Sequence, residues 1–546
     1  MKKLALLVLV LAASGSSFVS CSLVVEPTAR QCSNDADCAA MGPQFEGTFC
    51  NERFVCQNSE SYCRNNQDCL TRTQRDNVVC RLSDNTCVDL LTAECPKLLA
   101  DQGDLAKDPV VFAHLGLTSV AAPFVAAERA LDMARQEWAR TTQGVPGASP
   151  PRPVVTIACD IDYVSSEQYK RAIDHVVDNV QVPLIFGPYP NSWGAYLLPK
   201  AIATGTVFIS AGFETVLENV DRKYILFRHG FGPKNDARAA SLLFEQIYGP
   251  KIRAERGLPP DAPLKLALVY NGSGFGRTIA EQDAAELTLN GKPALQNSSE
   301  HFRQISYGDP AAPDFQATFG EALVALGQFK PDFFVTAGGG KELADIVTEY
   351  EKANPGITHY VASAAVEEQV FLETIDTSTT AMRERFFILV TQPSNSDPNF
   401  AKFTNSFRGI YKDTPEAADV MAAGAANYDE YYLAMYALAG NLGRPVTGRN
   451  LGEIILNRLS GRGASVAEVG MGPGSILGGV QRLSVGDSIL YRGALGPSSF
   501  DEEGDTSPPI QVLCVSGDRT LSNRYIETGI SYDTAAQKLQ GSNSCF

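Results

Sequence analysis

The segment VPLIFGPYPNSWGAYLLPKAIATGTVFIS (182–210) decides the fold class. It contains two short apolar runs, VPLIFG and TVFIS, which are typical of buried strands. Between them, WGAYLLPKAIA is typical of a helix. A strand, a helix and a second strand in this order place the two strands parallel in one sheet. The segment therefore predicts an α/β architecture.

The same alternation continues on both sides of this segment. Further apolar or β-branched runs predict strands at 110–117, 153–160, 264–270, 332–338, 359–364 and 510–515. Predicted helices occupy 123–140 and 168–180, the stretches after 275 and 341, and a helix pair over 417–442. This is enough material for two mainly parallel sheets that helices cover on both faces. Ligands of such sheets bind beyond the carboxyl ends of the strands.

The composition is that of a folded, acidic protein. The chain has 546 residues, of which 44% are hydrophobic and 20% charged, and its formal net charge is -16. No block of basic residues interrupts that acidity, so nucleic acid is not an expected partner.

The sequence offers no set of residues for catalysis. We find no Ser nucleophile motif and no close metal-ligand spacing. In NGSGFGR (271–277), Arg277 stands where a dinucleotide fingerprint needs its third glycine. The histidines are scattered and are interpreted as structural: His114, His175, His229, His301 and His359. We therefore expect no enzyme activity, no cofactor and no metal.

The N-terminus predicts export. A basic start precedes the apolar run LALLVLVLAA (4–13), which is too short to span a membrane and suits a signal peptide. The next stretch resembles a bacterial lipobox, which ends in Phe18, Val19, Ser20 and Cys21. The resemblance implies lipidation of Cys21 and a bacterial membrane anchor that faces the periplasm or the cell surface. The alternative is an ordinary secretory signal, cut near Ser20, which leaves Cys21 free.

A Cys-rich duplication follows the signal. Cys32, Cys38, Cys50 and Cys56 are separated by 5, 11 and 5 residues, and Cys63, Cys69, Cys80 and Cys87 by 5, 10 and 6. Each unit is polar and too small to bury a core, so we predict two disulfides in each. Four cysteines allow three connectivities, and the sequence does not choose among them. The duplicated unit is either a stiff spacer or a docking surface for a partner.

Five stretches resemble, in order, motifs of the type I periplasmic binding proteins, the leucine/isoleucine/valine-binding family. They are LIFGPYPNSWGAYLLPKAIATGTVFISAGFE (184–214), LFRHGFGPKNDARA (226–239), LALVYNGSGFGRTIAE (266–281), ANYDEYYLAMYALA (426–439) and GALGPSSFDEEGD (493–505). The match implies two Rossmann-like lobes with a cleft and three crossing segments, preceded by the Cys-rich module. The implied divisions are 1–20 (signal peptide), 21–31 (lipidated linker), 32–95 (Cys-rich module), 105–231 and 390–488 (lobe 1), 232–389 (lobe 2) and 489–546 (C-terminal crossing, completion of lobe 2 and tail).

The resemblance also implies a ligand site in the cleft. Its expected residues are Ser119, Asn191, Ser192, Trp193, Phe213, Glu214, Phe275, Gly340 and Ala364. Several depart from the residues with which the family holds amino acids, so a leucine-like ligand is not favoured. Trp193 and Phe213 would instead give an aromatic cleft, and Glu214 would hold a cation or sugar hydroxyls. The alternative is that both aromatic side chains pack within the lobes.

Four cysteines lie outside the duplication and Cys21. The family often bridges the position of Cys159 to the loop near residue 190, where this chain has Pro190. We expect the bridges Cys95–Cys159 and Cys514–Cys545.

The implied function is that of a solute receptor. The two lobes would close on a small polar or amphipathic ligand by hinge bending and deliver it to an ABC-type import permease. The alternative is a sensory or surface-interaction lipoprotein of the same fold, with a sensory membrane partner and no transport role.

Overall fold

The computed structural model describes most of the chain after the N-terminal segment. The described residues are 30–42, 45, 48–58, 62–118, 122–161, 166–187, 191–210, 222–230, 233–272, 274–310, 312–337, 341–363, 372–373, 375, 381–414, 422–463, 465–518 and 524–542. Within them, no helix has the length and apolar character needed to cross a membrane.

The Cys-rich module consists of two units, each a short helix followed by a hairpin. Unit 1 (32–58) contains α1 (Asp35–Ala40), β1 (Thr48–Cys50) and β2 (Cys56–Asn58). Unit 2 (62–90) contains α2 (Asn66–Thr73), β3 (Val78–Arg81) and β4 (Thr86–Asp89). An asparagine caps each helix through its side-chain oxygen, Asn34 in unit 1 and Asn65 in unit 2.

The same disulfide connectivity joins helix and hairpin in both units. The first cysteine pairs with the third and the second with the fourth: Cys32–Cys50, Cys38–Cys56, Cys63–Cys80 and Cys69–Cys87. The structure therefore selects one of the three connectivities that the spacing allows.

The first sheet contains six strands. They are β5 (Lys97–Leu99), β6 (Val110–Gly116), β7 (Val154–Asp160), β8 (Leu184–Phe186), β9 (Val207–Ser210) and β10 (Leu226–Arg228). Their order is β10-β9-β8-β6-β7-β5, and only β5 is antiparallel to its neighbour. The helices between them are α3 (Ala122–Thr142), α4 (Ser166–Asp174), which continues as a π-helical turn over His175–Asn179, and α5 (Asn191–Thr204).

The chain then builds a second sheet. Its helices are α6 (Pro233–Leu242), α7 (Gly249–Glu255), α8 (Gly274–Glu286), α9 (Phe315–Phe329) and α10 (Lys341–Ala353). Its strands to this point are β11 (Leu266–Tyr270), β14 (Phe302–Ser306), β15 (Phe333–Ala337), β16 (His359–Ser363) and β17 (Phe386–Thr391), and a small hairpin adds β12 (Thr288–Leu289) and β13 (Lys292–Pro293).

The chain next returns to the first sheet. It forms α11 (Pro398–Ile410), α12 (Ala422–Gly440), α13 (Gly448–Arg458), α14 (Pro473–Ser484) and a small sheet of β18 (Val466–Gly470), β19 (Ser488–Gly493) and β20 (Gly496–Pro497). The predicted helix pair over 417–442 is, within the described residues, the single helix α12. This helix is buried along almost its whole length because α3 and the first sheet cover it.

Three antiparallel strands complete the second sheet. They are β21 (Ile510–Val515), β22 (Tyr525–Asp533) and β23 (Lys538–Gly541), and the full order is β14-β11-β15-β16-β17-β21-β22-β23. Separate apolar clusters cover the two faces of each sheet. The strands of the first sheet fall within 97–228 and those of the second within 266–541. The lobe boundaries given above stay a prediction.

Unit 2 of the module packs directly on the first sheet. Val79 and Leu90, the latter fully buried, belong to the apolar cluster that covers one face of this sheet. His175 at the end of α4 contacts the carbonyl oxygen of Leu90 through Nε2, at 3.0 Å. Arg81 donates to the carbonyl oxygen of Asn179. Unit 2 is thus joined to the first sheet and does not stand apart from it.

The predicted bridge Cys95–Cys159 is present, and it fastens the chain after unit 2 to β7. Cys514 in β21 is also disulfide-bonded, and its partner lies outside the described residues. The bridge Cys514–Cys545 therefore stays a prediction, as does lipidation of Cys21, which lies outside the described residues as well.

Candidate functional site

Both sheets present the carboxyl ends of parallel strands, where helices begin. Helix α5 begins at Asn191, shortly after β8, while α8 follows β11 and α10 follows β15. The first N–H groups of a helix have no partner within the helix, and the helix dipole is positive at this end. Three such helix starts favour an anionic group beyond the strand ends.

Two glycines permit the tight turns at these strand ends. Gly187, directly after β8, has φ 80, and a Cβ there would lie 2.6 Å from the carbonyl oxygen of Leu115. In α8, a Cβ on Gly276 would lie 2.4 Å from the carbonyl oxygen of Asn271. The glycines therefore allow backbone to pass close to backbone at both strand ends.

Buried polar groups of α12 lie beneath the exit of β8. Glu430 is fully buried, and the backbone N–H of Gly187 faces its carboxyl group. Burial, followed by the neighbouring charge of Asp429, raises the pKa of Glu430 well above its ordinary value. On β6, His114 accepts a hydrogen bond from the Asn427 amide at 3.0 Å, and burial lowers its pKa. This ring is therefore neutral at physiological pH.

These α12 residues were missed by the site prediction. The available signal was NYDE (427–430), a polar group inside an otherwise apolar helix. Polar residues in such a position are buried and need partners, which marks them as candidates for a structural or functional role.

Four of the nine expected ligand residues are described, and they lie at this edge of the sheets. Asn191, Ser192 and Trp193 form the first turn of α5, and Phe275 is the second residue of α8. The remaining expected residues, Ser119, Phe213, Glu214, Gly340 and Ala364, lie outside the described residues. The ligand contacts of all nine stay predictions.

Three crossing segments connect the sheets: the chain between β10 and α6, of which residues 229 and 230 are described, residues 392–397 after β17 and residues 498–509 before β21. Asp429 joins the first of these segments to the turn between β19 and β20. Its carboxylate contacts Nε2 of His229 at 3.3 Å and accepts the backbone N–H groups of Ala494 and Leu495, both at 2.8 Å. A Cβ on Gly493 would lie 2.2 Å from this carboxylate, so the turn needs glycine.

Asp505 joins the third segment to β10 and to Arg222 before it. Arg228 and Arg222 donate to its carboxylate, and the N–H of Arg228 donates to the carbonyl oxygen of Gly504 at 2.8 Å. Burial opposes ionisation of Asp505, but the two arginines hold its pKa below its ordinary value. The third crossing segment therefore runs beside the end of β10.

Comparisons with known proteins show the fold. No protein-family model and no curated protein matches the chain. A leucine-binding protein from Thermotoga maritima matches with a TM-score of 0.54 and 14% identity, over 76% of this chain and 97% of that chain. A solute-binding protein from R. palustris, in complex with benzoate, matches with a TM-score of 0.53 and 12% identity, over 80% and 98%.

A fatty acid ABC transporter substrate-binding protein from Thermomonospora curvata is similar with a TM-score of 0.51 and 13% identity, over 77% of this chain and 91% of that chain. All three neighbours are binding proteins, and at these identities they are evidence for the architecture alone. Two mainly parallel sheets, three crossing segments and these neighbours together give the chain the fold of the type I periplasmic binding proteins.

Proposed function

We propose that the protein is an extracytoplasmic solute-binding protein that captures a small ligand between two lobes. The observation that carries this proposal is the pair of sheets with helix starts beyond their strand ends, in the fold that the binding proteins share. An enzyme of this fold would need a nucleophile and a base, and the described residues at the strand ends offer no such pair.

We propose a ligand that carries a carboxylate on an apolar or aromatic body. The ligands of the three neighbours are leucine, benzoate and fatty acid, and each has a carboxylate on an apolar body. Three helix starts suit such an anion. Trp193 and Phe213 would contact the apolar body, and Glu214 would hold any cationic group or hydroxyls of the ligand.

Export and anchoring belong to the same proposal. Disulfides form in oxidising compartments outside the cytoplasm, and the five described bridges agree with the predicted signal peptide. We propose that Cys21 carries the lipid and that the anchored receptor delivers its ligand to an ABC-type import permease.

A sensory or surface-interaction role is the second candidate. It is favoured by unit 2, which packs on the first sheet and so adds a surface to one lobe. A neighbouring permease gene and ATPase gene would favour transport, and a neighbouring kinase gene would favour sensing.

Thermal unfolding tests the proposed binding function. Residues 22–546, with disulfides intact, would be unfolded with pools of amino acids, aromatic acids and fatty acids, and with pools of sugars and polyamines. A ligand at 100 times its Kd adds about 2.7 kcal/mol to the free energy of unfolding. A higher midpoint with a carboxylate pool supports the proposal. A shift with sugars or polyamines alone contradicts the ligand class, and no shift from any pool contradicts solute binding.

Variants then test the residues. Glu214→Ala and Trp193→Ala should each weaken the ligand found in that screen, measured by titration calorimetry. Unchanged affinity in both would mean that the ligand site lies elsewhere.

A further inference from the structure

The C-terminal hairpin, formed by β22 and β23, contacts two of the three crossing segments. Glu527 of β22 reaches the second segment, which follows β17. Thr534, in the turn between the two strands, reaches the third segment, which precedes β21. These contacts lie on the side of the segments that belongs to the second sheet.

The second crossing segment contacts Glu527 at one end and leads into α11 of lobe 1 at the other. The Glu527 carboxylate accepts the hydroxyl of Ser394 at 2.8 Å and the backbone N–H of Asn395 at 2.5 Å. Two residues further, Asp397 caps α11 by accepting the N–H of Asn399 at 2.9 Å. The N–H of Asp397 also donates to the carbonyl oxygen of Ser394 at 2.8 Å, so residues 394–397 form a turn between the contact with Glu527 and the cap of α11.

In the third crossing segment, the contacts change from the first sheet to the hairpin within two residues. The N–H of Thr506 donates to the carbonyl oxygen of Arg228 at 3.0 Å, which binds this residue to the end of β10. The next residue, Ser507, accepts the hydroxyl of Thr534 through its carbonyl oxygen. The change from the first sheet to the hairpin therefore occurs between residues 506 and 507.

The hairpin itself is firmly part of the second sheet. Strand β22 pairs with β21 from Ile510 to Val515, with an irregularity between Gln511 and Leu513. Thr528 donates its hydroxyl to the carbonyl oxygen of Val512 at 2.8 Å. Ile530 and Tyr532 are buried in the core of this sheet. The hairpin therefore moves with the second sheet, and its contacts hold the crossing segments in place relative to that sheet.

We propose that the C-terminal hairpin is a brace for the hinge, with Glu527 and Thr534 as its positioning residues. It fixes the second-sheet ends of two crossing segments, so that lobe motion bends the chain at the turn 394–397 and between residues 506 and 507. The importance of this for ligand capture rests on the proposed function, but the brace itself is a property of the unliganded protein.

Hydrogen exchange by mass spectrometry, on the unliganded and disulfide-intact chain, tests the brace. Glu527→Ala removes both acceptors, and exchange in peptides that span 392–397 should become roughly tenfold faster or more, because a hydrogen bond to a charged group is lost. Glu527→Gln keeps an acceptor for the Asn395 N–H and should stay close to the wild type. Glu349→Gln, which removes the surface ion pair with Lys352, is the matched control and should leave these peptides unchanged.

Two results would overturn the brace: equal exchange at 392–397 in Glu527→Ala and wild type, or equally fast exchange in the Ala and Gln variants. Thr534→Val provides a second test, since it should enlarge the radius of gyration of the unliganded protein and add to the effect of Glu527→Ala in the double variant. If the radius of gyration increased neither in Thr534→Val nor in the double variant, the proposal would also be overturned. If exchange changes as expected but the thermal screen finds no ligand, the brace is upheld and the proposed function is contradicted. If the screen finds a ligand but exchange does not change, the proposed function is upheld and the brace is contradicted.

Discussion

The two units of the Cys-rich module have the same disulfide connectivity and the same helix cap, but they pack on different parts of the molecule. In both units the corresponding positions line a cavity against the neighbouring part of the molecule: the residue after the cap, the strand residue before the third cysteine, and the turn that follows. These positions are Asp35, Phe49 and Glu52 in unit 1 and Asn66, Val79 and Leu82 in unit 2. Unit 1 turns these positions to unit 2, whereas unit 2 turns them to the first sheet.

One of these positions shows how a unit is adapted to its support. Asp35 accepts the N–H of Cys50 at 2.9 Å, and Asn66 accepts the N–H of Cys80 at 2.7 Å, so the bond within the unit is the same. Only the amide can also donate, and Asn66 donates to the carbonyl oxygen of Leu105 at 2.5 Å. Asn66 is buried and Asp35 is exposed. The disulfides thus set the shape of a unit, while single residues decide what it rests on.

The largest difference between the units should appear when a disulfide is removed. Cys69→Ser with Cys87→Ser should lower the free energy of unfolding of the main transition by about 4 kcal/mol, because unit 2 shares a core with the first sheet. Cys38→Ser with Cys56→Ser should loosen unit 1 and leave that transition in place. Scanning calorimetry measures both, and an equal loss in the two variants would contradict the difference in support.

A buried leucine tests the same core without touching a disulfide. Leu90→Ala should cost about 3 kcal/mol, since this side chain is fully buried among residues of the first sheet. Leu82, in the same unit, is 63% exposed, and Leu82→Ala should change stability by less than about 0.5 kcal/mol. Urea unfolding compares the two, and similar losses would mean that unit 2 does not share the core.

Exchanging aspartate and asparagine at the residue after the helix cap should change stability in unit 2 only. Asn66→Asp places a carboxyl group in a buried position near the carboxylate of Asp108, which already accepts the Asn66 N–H at 2.6 Å, and should cost about 2 kcal/mol at pH 7. Burial would raise the folded-state pKa of the new acid above its unfolded value of about 3.9. The loss should therefore be small below about pH 4 and grow as pH rises.

The reciprocal variant is the control. Asp35→Asn lies at an exposed site and should change stability by less than about 0.5 kcal/mol at either pH. Chemical unfolding at pH 4 and pH 7 gives all four values. A loss in Asn66→Asp that does not depend on pH would contradict burial of the new carboxyl group.

The smallest effect is expected at the joint between the units. The rings of Phe49 and Tyr62 are 4.1 Å apart between centroids, and the guanidinium of Arg72 lies 5.3 Å from the Phe49 ring. Phe49→Ala should weaken this joint by about 1 kcal/mol and leave the main unfolding transition unchanged. Small-angle scattering should show a larger maximum dimension, and an unchanged one would mean that other contacts hold unit 1.

The sequence predicted the architecture well where local pattern and burial agree. The segment 182–210 indeed gives β8, α5 and β9, and the run at 510–515 is β21. Strands β5, β10, β14, β22 and β23 were not predicted, because they are short or half exposed and depend on neighbours that only the fold supplies. Strand β17 was not predicted either, although its apolar run FFILVT (386–391) is fully buried. The packing of unit 2 on the first sheet was also not predicted, because Val79 and Leu90 are not part of a periodic apolar pattern. The polar group NYDE was a signal for Asp429 and Glu430, but only the fold shows which groups they face and that both are fully buried.

Strand β5 has a consequence for solubility. It is three residues long, bears a lysine at its start and pairs antiparallel with β7, and on the other side of the first sheet β10 is also three residues long. Short, charged edge strands offer little backbone to a second chain. The Cys95–Cys159 bridge keeps β5 in this place. The segment that joins the module to the sheet therefore also seals an open edge, which protects the protein from edge-to-edge aggregation.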